Sequence, residues 1–129
     1  MTTIDSERHA SLARDFLFSR ARGDYDAAIQ LLADDAVWHS PIEGPCRGRG
    51  AIREMLVAAE RETESFSSAV EDVVVRGERA IATIVNRGER EGRELVSRQQ
   101  LGFRFRDEQI AEITIDVDDP EAVERFWAD

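Results

Sequence analysis

Trp38, His39 and Ser40 stand in a row, with Glu43 and Cys46 close behind them. A histidine titrates near neutral pH and can pass a proton either way. A serine both donates and accepts hydrogen bonds, but without a base beside it it takes no proton at neutral pH. Glu43 is the nearest carboxylate that could fold over a pocket mouth, and Asp116 is a remote one. Cys46 is the single cysteine, which excludes an internal disulfide and a Cys-rich zinc site. Its place in the same loop suits a rim residue. The run RGRG at 47–50 invites a phosphate reading at a helix start. It lacks the P-loop lysine and the G-x-G-x-x-G spacing. Its glycines therefore read as shaping a corner, and its arginines as offsetting acidic neighbours.

These residues must be positioned by strands. Side chains alternate faces along a strand, so Trp38 and Ser40 share one side and His39 takes the other. In ELVSRQQLGFRFR the same rule puts Leu95, Ser97, Gln99, Leu101, Phe103 and Phe105 on one face, the natural interior. Ser97 and Gln99 are then inward polar groups that need partners. Gln99 is either satisfied by backbone or by Asn86 of the adjacent strand, or it positions a ligand carbonyl or hydroxyl. In QIAEITIDV, inward Ile113, Ile115 and Val117 send Glu112, Thr114 and Asp116 outward. Asp116 reaches a pocket only through a bulge.

Around these strands the chain predicts helices first. Residues 6–22 read as a helix capped by Ser6 or Asp5, with Leu12, Phe16 and Ser19 or Arg20 at helical spacing and Gly23 ending it. Asp24 caps a second helix, DYDAAIQLLA, closed by Asp34-Asp35 before a short strand, AVWHS. Pro41 and Pro45 force a turn, and Gly50 leads into a third helix, AIREMLVAAERE. The period then drops from 3.6 to 2. Residues 66–76 form a strand, Gly77-Glu78 a hairpin turn, and RAIATIVNR the next strand, with a further turn near Gly88 to Gly92. ELVSRQQLGFRFR and QIAEITIDV follow, joined at Asp107-Glu108. Asp118 or Asp119 caps a last helical turn that starts at Pro120. Three helices with one early strand, then a meander of four long strands, make an α+β layout in one domain over residues 1–129.

Composition narrows the function classes. The 129 residues are 42% hydrophobic and 34% charged, ordinary for a globular domain with one sizeable core. A net charge of -10 argues against a nucleic-acid partner. No apolar run is long enough to span a membrane, and the N-terminus lacks a signal-peptide core. A cytoplasmic location is therefore expected. All 17 basic residues are arginine, which suggests a bacterial, GC-rich source and no mechanism. No metal or cofactor is expected.

Several stretches resemble the nuclear transport factor 2-like superfamily, which includes ketosteroid isomerases, SnoaL-like polyketide cyclases and limonene epoxide hydrolases. GDYDAAIQLLADDAVW resembles that family's second helix and first strand, RGRGAIREML the corner into helix three, and GFRFRDEQIAEI the last hairpin. The resemblance covers nearly the whole chain. It implies a cone-shaped (cystatin-like) fold: three N-terminal helices on a strongly curved, mainly antiparallel sheet, with an apolar pocket at the open end. The isomerase general base matches Ser40, and the two oxyanion donors match Phe16 and Leu101. None of the three can do those jobs, so a standard ketosteroid isomerase mechanism is not expected. The SnoaL-type acid/base aspartate matches Ile115, one residue before Asp116. The epoxide hydrolase Arg-x-Asp pair is echoed only by Arg98-Gln99-Gln100.

The resemblance therefore implies a small-molecule pocket rather than a defined reaction. By the isomerase correspondence the inward side is that of Ser40, which makes Trp38 a pocket wall or core residue. His39, Ser40 and Asp116 are the candidate catalytic residues. Phe16, Trp38, Ser97, Gln99, Leu101, Phe103 and Ile115 are the candidates to contact substrate. Phe126 and Trp127 could close the cone or cover a sheet edge, and His9 is expected on the surface of the first helix. The expected ligand is a small apolar, carbonyl-bearing metabolite, polyketide or steroid-like, handled by a cyclase, isomerase or hydratase. The alternatives are a non-catalytic carrier and an association module. In this superfamily the outer sheet face often pairs subunits, so Arg98, Arg104, Glu112 and Asp116 mark either a homodimer interface or a solvated face.

Overall fold

A computed structural model describes residues 3–42, 44–76 and 78–128, with side chains from Ser6 onward. Glu43, Gly77 and the side chain of Asp5 lie outside the described residues, and with them the lid, turn and cap expected there. The elements are α1 (Thr3–Ala21), α2 (Tyr25–Gln30), β1 (Leu32–Ser40), β2 (Gly44–Arg47), α3 (Arg49–Arg61), β3 (Ser65–Arg76), β4 (Arg79–Arg90), β5 (Arg93–Arg106), β6 (Gln109–Val117) and α4 (Pro120–Trp127). Six strands form one curved sheet in the order β2-β1-β6-β5-β4-β3. Its neighbours are antiparallel except β1 and β6, which run parallel.

The helix caps follow the sequence closely. Gly23 takes φ 77° after α1, and Asp24 accepts the amide of Ala27 at 3.1 Å. Asp119 accepts the amide of Ala122 at 3.1 Å, with Pro120 at the first position of α4. α1 begins earlier than expected, so Ser6 lies inside the helix instead of capping it.

The larger correction is at the second helix. It stops at Gln30, and the strand begins at Leu32, so Asp34 and Asp35 sit exposed within β1. Tertiary pairing overrides helix propensity there: Leu32 aligns with Ile110, and the amide of Ile110 donates to the carbonyl of Leu31 at 2.9 Å. The proline turn also carries a further strand. β2 pairs Cys46 with Trp38 and Pro45 with His39, and as the sheet edge it tolerates a proline.

Two hairpins close with two residues each. Glu91-Gly92 and Asp107-Glu108 all have positive φ, the geometry of a type I′ turn, whose twist suits the flanking strands. Gly88 is therefore a strand residue and not part of the turn. It faces Phe66, and a methyl group there would meet Phe126 at 3.0 Å and Phe66 at 3.1 Å. Register shifts in β3 between Val70 and Asp72, and in the β5–β6 pair after Arg104, bend the sheet.

The concave face carries the core. Phe16 and Leu17 of α1 bury against Leu101, Phe103, Ile84 and Ile113, and Phe16 meets Phe103 edge-on with ring centroids 6.2 Å apart. A second cluster, Leu95, Val123 and Phe126, seats α4 against the sheet. Arg90 and Arg93 fasten that helix by donating to its last carbonyls. Arg90 reaches the carbonyl of Ala128 at 2.9 Å, and Arg93 reaches those of Arg125 at 2.5 Å and Ala128 at 2.6 Å.

Candidate ligand cavity

A cavity of about 320 Å³ opens between α1, α3, α4 and the concave face of the sheet. Its apolar walls include Trp38, Leu56, Phe66, Ile115, Val117 and Trp127. Its polar groups are Arg20, Ser40, Glu62, Asn86 and Gln99. The size and the mixture suit a small ligand held by apolar walls and oriented by a few polar groups.

Each polar group has a definable state. Asn86 is buried and its Oδ1 accepts from Ser68 Oγ at 2.5 Å, which leaves its NH2 as the donor for the cavity. Gln99 lies opposite Ile84, not Asn86, and its amide bonds to no described residue. Of the two partners expected for Gln99, Asn86 is thus engaged elsewhere. Ser40 Oγ accepts the amide of Ile42 at 3.2 Å, a local turn that draws on its lone pairs. Glu62 follows the end of α3, is exposed, and is the carboxylate that borders the cavity among the described residues.

Arg20 also lines the cavity, although the sequence does not mark it as a site residue. Its guanidinium lies 5.6 Å from the centroid of Trp38, in cation–π range. Its Nη1 is buried without a hydrogen-bond partner. Burial lowers its pKa to about 10, with nearby Tyr25 opposing the shift, so it remains charged at neutral pH. The signal was present: Arg20 follows Phe16 by one helical turn, on the apolar side of α1.

Strand alternation splits the opening triplet between the two faces of β1. Trp38 and Ser40 line the cavity, and His39 lies on the outer face. His39 has a carboxylate on that face after all, since its Nε2 lies 3.7 Å from Glu112. Asp116 is also outside, exposed and opposite Gln100. The bulge in the β5–β6 pair falls between Arg104 and Phe105, too far along to turn Asp116 inward. Gln99 and Ile115 line the cavity. Phe16, Leu101 and Phe103 are buried in the main core and Ser97 is buried too, so none of the four lines the cavity. The Ser97 hydroxyl is buried without a partner.

The remaining candidates resolve structurally. Trp127 closes the cavity while Phe126 fills the second core cluster. Cys46 packs against the main core from β2. Arg49 pairs with Asp34 at 2.9 Å, and Gly48 turns the corner with φ 89°, as the charge-offset reading expected. His9 corrects the surface expectation. It is half-buried and stacks on Phe105 with centroids 4.2 Å apart. No metal-ligating cluster occurs among the described residues, and no described helix is long and apolar enough to cross a membrane.

Comparison with solved structures places the fold. The protein Bal32a, from a soil-derived mobile gene cassette, superposes with a TM-score of 0.92 at 25% identity, over 96% of this chain and 99% of its own. A Xanthomonas campestris protein of unknown function with a cystatin-like fold gives 0.84 at 23% identity, over 100% of both chains. TerC, co-crystallised with polyporic acid, gives 0.81 at 13% identity, over 92% of this chain and 97% of its own. No curated protein matches the sequence. Residues 13–113 match the sequence family described as the SnoaL-like domain. A helix-lined cone of mixed sheet, a cavity at its open end and that match together make this chain a member of the SnoaL-like domain family.

Proposed function

We propose that this chain is a small-molecule-pocket protein that takes an apolar, carbonyl-bearing metabolite, polyketide or steroid-like, and polarises its carbonyl. The observation that carries the reading is the unsatisfied amide of Gln99 beside the free NH2 of Asn86, facing the walls of Trp38, Ile115 and Trp127. Donors on an apolar cavity wall that no protein group meets are left for a ligand or water. Together they present hydrogen-bond donors to one face of a ligand whose body lies against apolar side chains.

Polarising a carbonyl supports cyclase or isomerase chemistry, which also needs a base. His39 and Asp116 face away from the cavity, and Ser40 is held in its turn, so Ser40 is assigned to ligand contact. Glu62 is the acid/base at hand in the catalytic form of the proposal. The second reading is a carrier without turnover. It is favoured by the resemblance that matches Ser40 to the isomerase general base and Phe16 and Leu101 to its two oxyanion donors, jobs that none of the three can do. In either form the chain acts as a homodimer through the outer sheet face.

A thermal-shift screen with aryl ketones such as 2-acetonaphthone tests the reading. Binding raises Tm, and Gln99→Leu weakens affinity several-fold, up to about tenfold, as expected for one neutral hydrogen bond. No stabilisation by any aryl ketone contradicts it. Exchange of the hydrogens next to the ligand carbonyl in heavy water, lost in Glu62→Gln, separates the catalytic form from the carrier.

A further inference from the structure

Arg20 brings a positive charge to the cavity wall beside the ring of Trp38. It bonds to no carboxylate among the described residues, and its Nη1 is buried with no partner at all. A buried N–H donor left without a hydrogen-bond partner is costly, and more so on a charged group. The nearby acid is occupied elsewhere. Glu60, in the recess that Arg20 also borders, accepts a hydrogen bond from the Tyr25 hydroxyl at 2.6 Å. Glu62 sits exposed at the cavity edge and makes no ion pair with Arg20. Meanwhile the ring of Trp38 lies beside the guanidinium, so a flat apolar body and a cationic fork stand next to one another.

We propose that Arg20 anchors an anionic oxygen of the ligand. The molecule taken is then an apolar ring compound bearing a carboxylate or a comparably acidic oxygen. This deepens the pocket reading and rests on it. The guanidinium supplies two parallel donors to such a group, and the low-polarity walls strengthen the contact relative to water. The rings extend over Trp38 toward Ile115 and Trp127, which leaves Gln99 and Asn86 to meet a second oxygen.

Calorimetric titration of 2-naphthoate and of its neutral counterpart 2-naphthamide, at neutral pH, tests the assignment. The wild type should prefer naphthoate by about tenfold or more, the weight of one hydrogen bond to a charged group. Arg20→Met, which keeps most of the apolar stem, should remove that preference and leave naphthamide affinity within about twofold. Arg20→Lys should retain part of it, as a point charge without the fork. Circular dichroism checks that each variant is folded, and the wild-type preference decides the matter if Arg20→Met is not. Naphthamide binding with no preference for naphthoate overturns the anchor and leaves the pocket reading standing. So does a preference that persists in folded Arg20→Met. Failure of both probes to bind overturns the pocket reading and the anchor together.

Discussion

Tyr25 is the single tyrosine of the chain, so its ionisation can be read directly by absorbance. Burial, and then the hydrogen bond to Glu60, push its pKa up to about 12 from an ordinary 10. The folded state thus keeps a proton that the unfolded state gives up first. Its contribution to stability is complete below pH 10 and is lost as pH rises toward 12. In the folded protein, phenolate absorbance should rise with a midpoint well above 10, and Glu60→Gln should bring it down; a midpoint at 10 would contradict the contact. Side-chain placement of this kind was only partly legible in the sequence. Strand alternation placed Trp38 and Ser40 inward and His39 and Asp116 outward, because a period of two leaves no freedom once one face is buried. Arg20 was not legible as a site. An arginine on a helix usually finds an acid, and only the folded chain shows Glu60 committed to Tyr25.

At the scale of elements, α4 is the part of the cavity wall added last in the chain, and Gly88 is what lets it sit down. With no side chain at Gly88, the ring of Phe126 approaches the β4 backbone and Trp127 swings over the cavity. Gly88→Ala should cost about 1–2 kcal/mol in urea unfolding, the usual scale of overpacking, and should weaken ligand binding by displacing Trp127. Unchanged stability and affinity would show that Phe126 yields without moving its neighbour. Most element types were legible from periodicity and capping, but β2 lay hidden in the proline turn and the boundaries were not legible. The run DDAVWHS looked like a helix end followed by a short strand, because two aspartates resemble a stop signal. Pairing with β6 draws the strand back to Leu32, a long-range effect that no local window contains. For the same reason Gly88 passed for a turn residue: glycine in a strand and glycine in a turn look alike until the strand's partner is known.

For the whole molecule, the order of helices before meander was enough to set the architecture, since a curved sheet with one apolar face has few ways to cover it. What the chain pairs with is a separate question, and it turns on the outer face. His39, Arg104 and Glu112 form a polar cluster there, with Ile81 exposed nearby. If that face joins two copies, sedimentation velocity should show a dimer that Ile81→Arg with Thr114→Arg disperses to monomer without loss of helix signal; a monomer at every concentration removes the proposal. Titrating 2-acetonaphthone into the ¹⁵N-labelled protein and following amide shifts locates a ligand without assuming a reaction. The account predicts shifts concentrated at Trp38, Gln99, Ile115, Val117 and Trp127, with the outer-face amides of Gln100, Thr114 and Asp116 shifting less as strand neighbours. No shifts at saturating ligand, or shifts centred on the outer face, would contradict it.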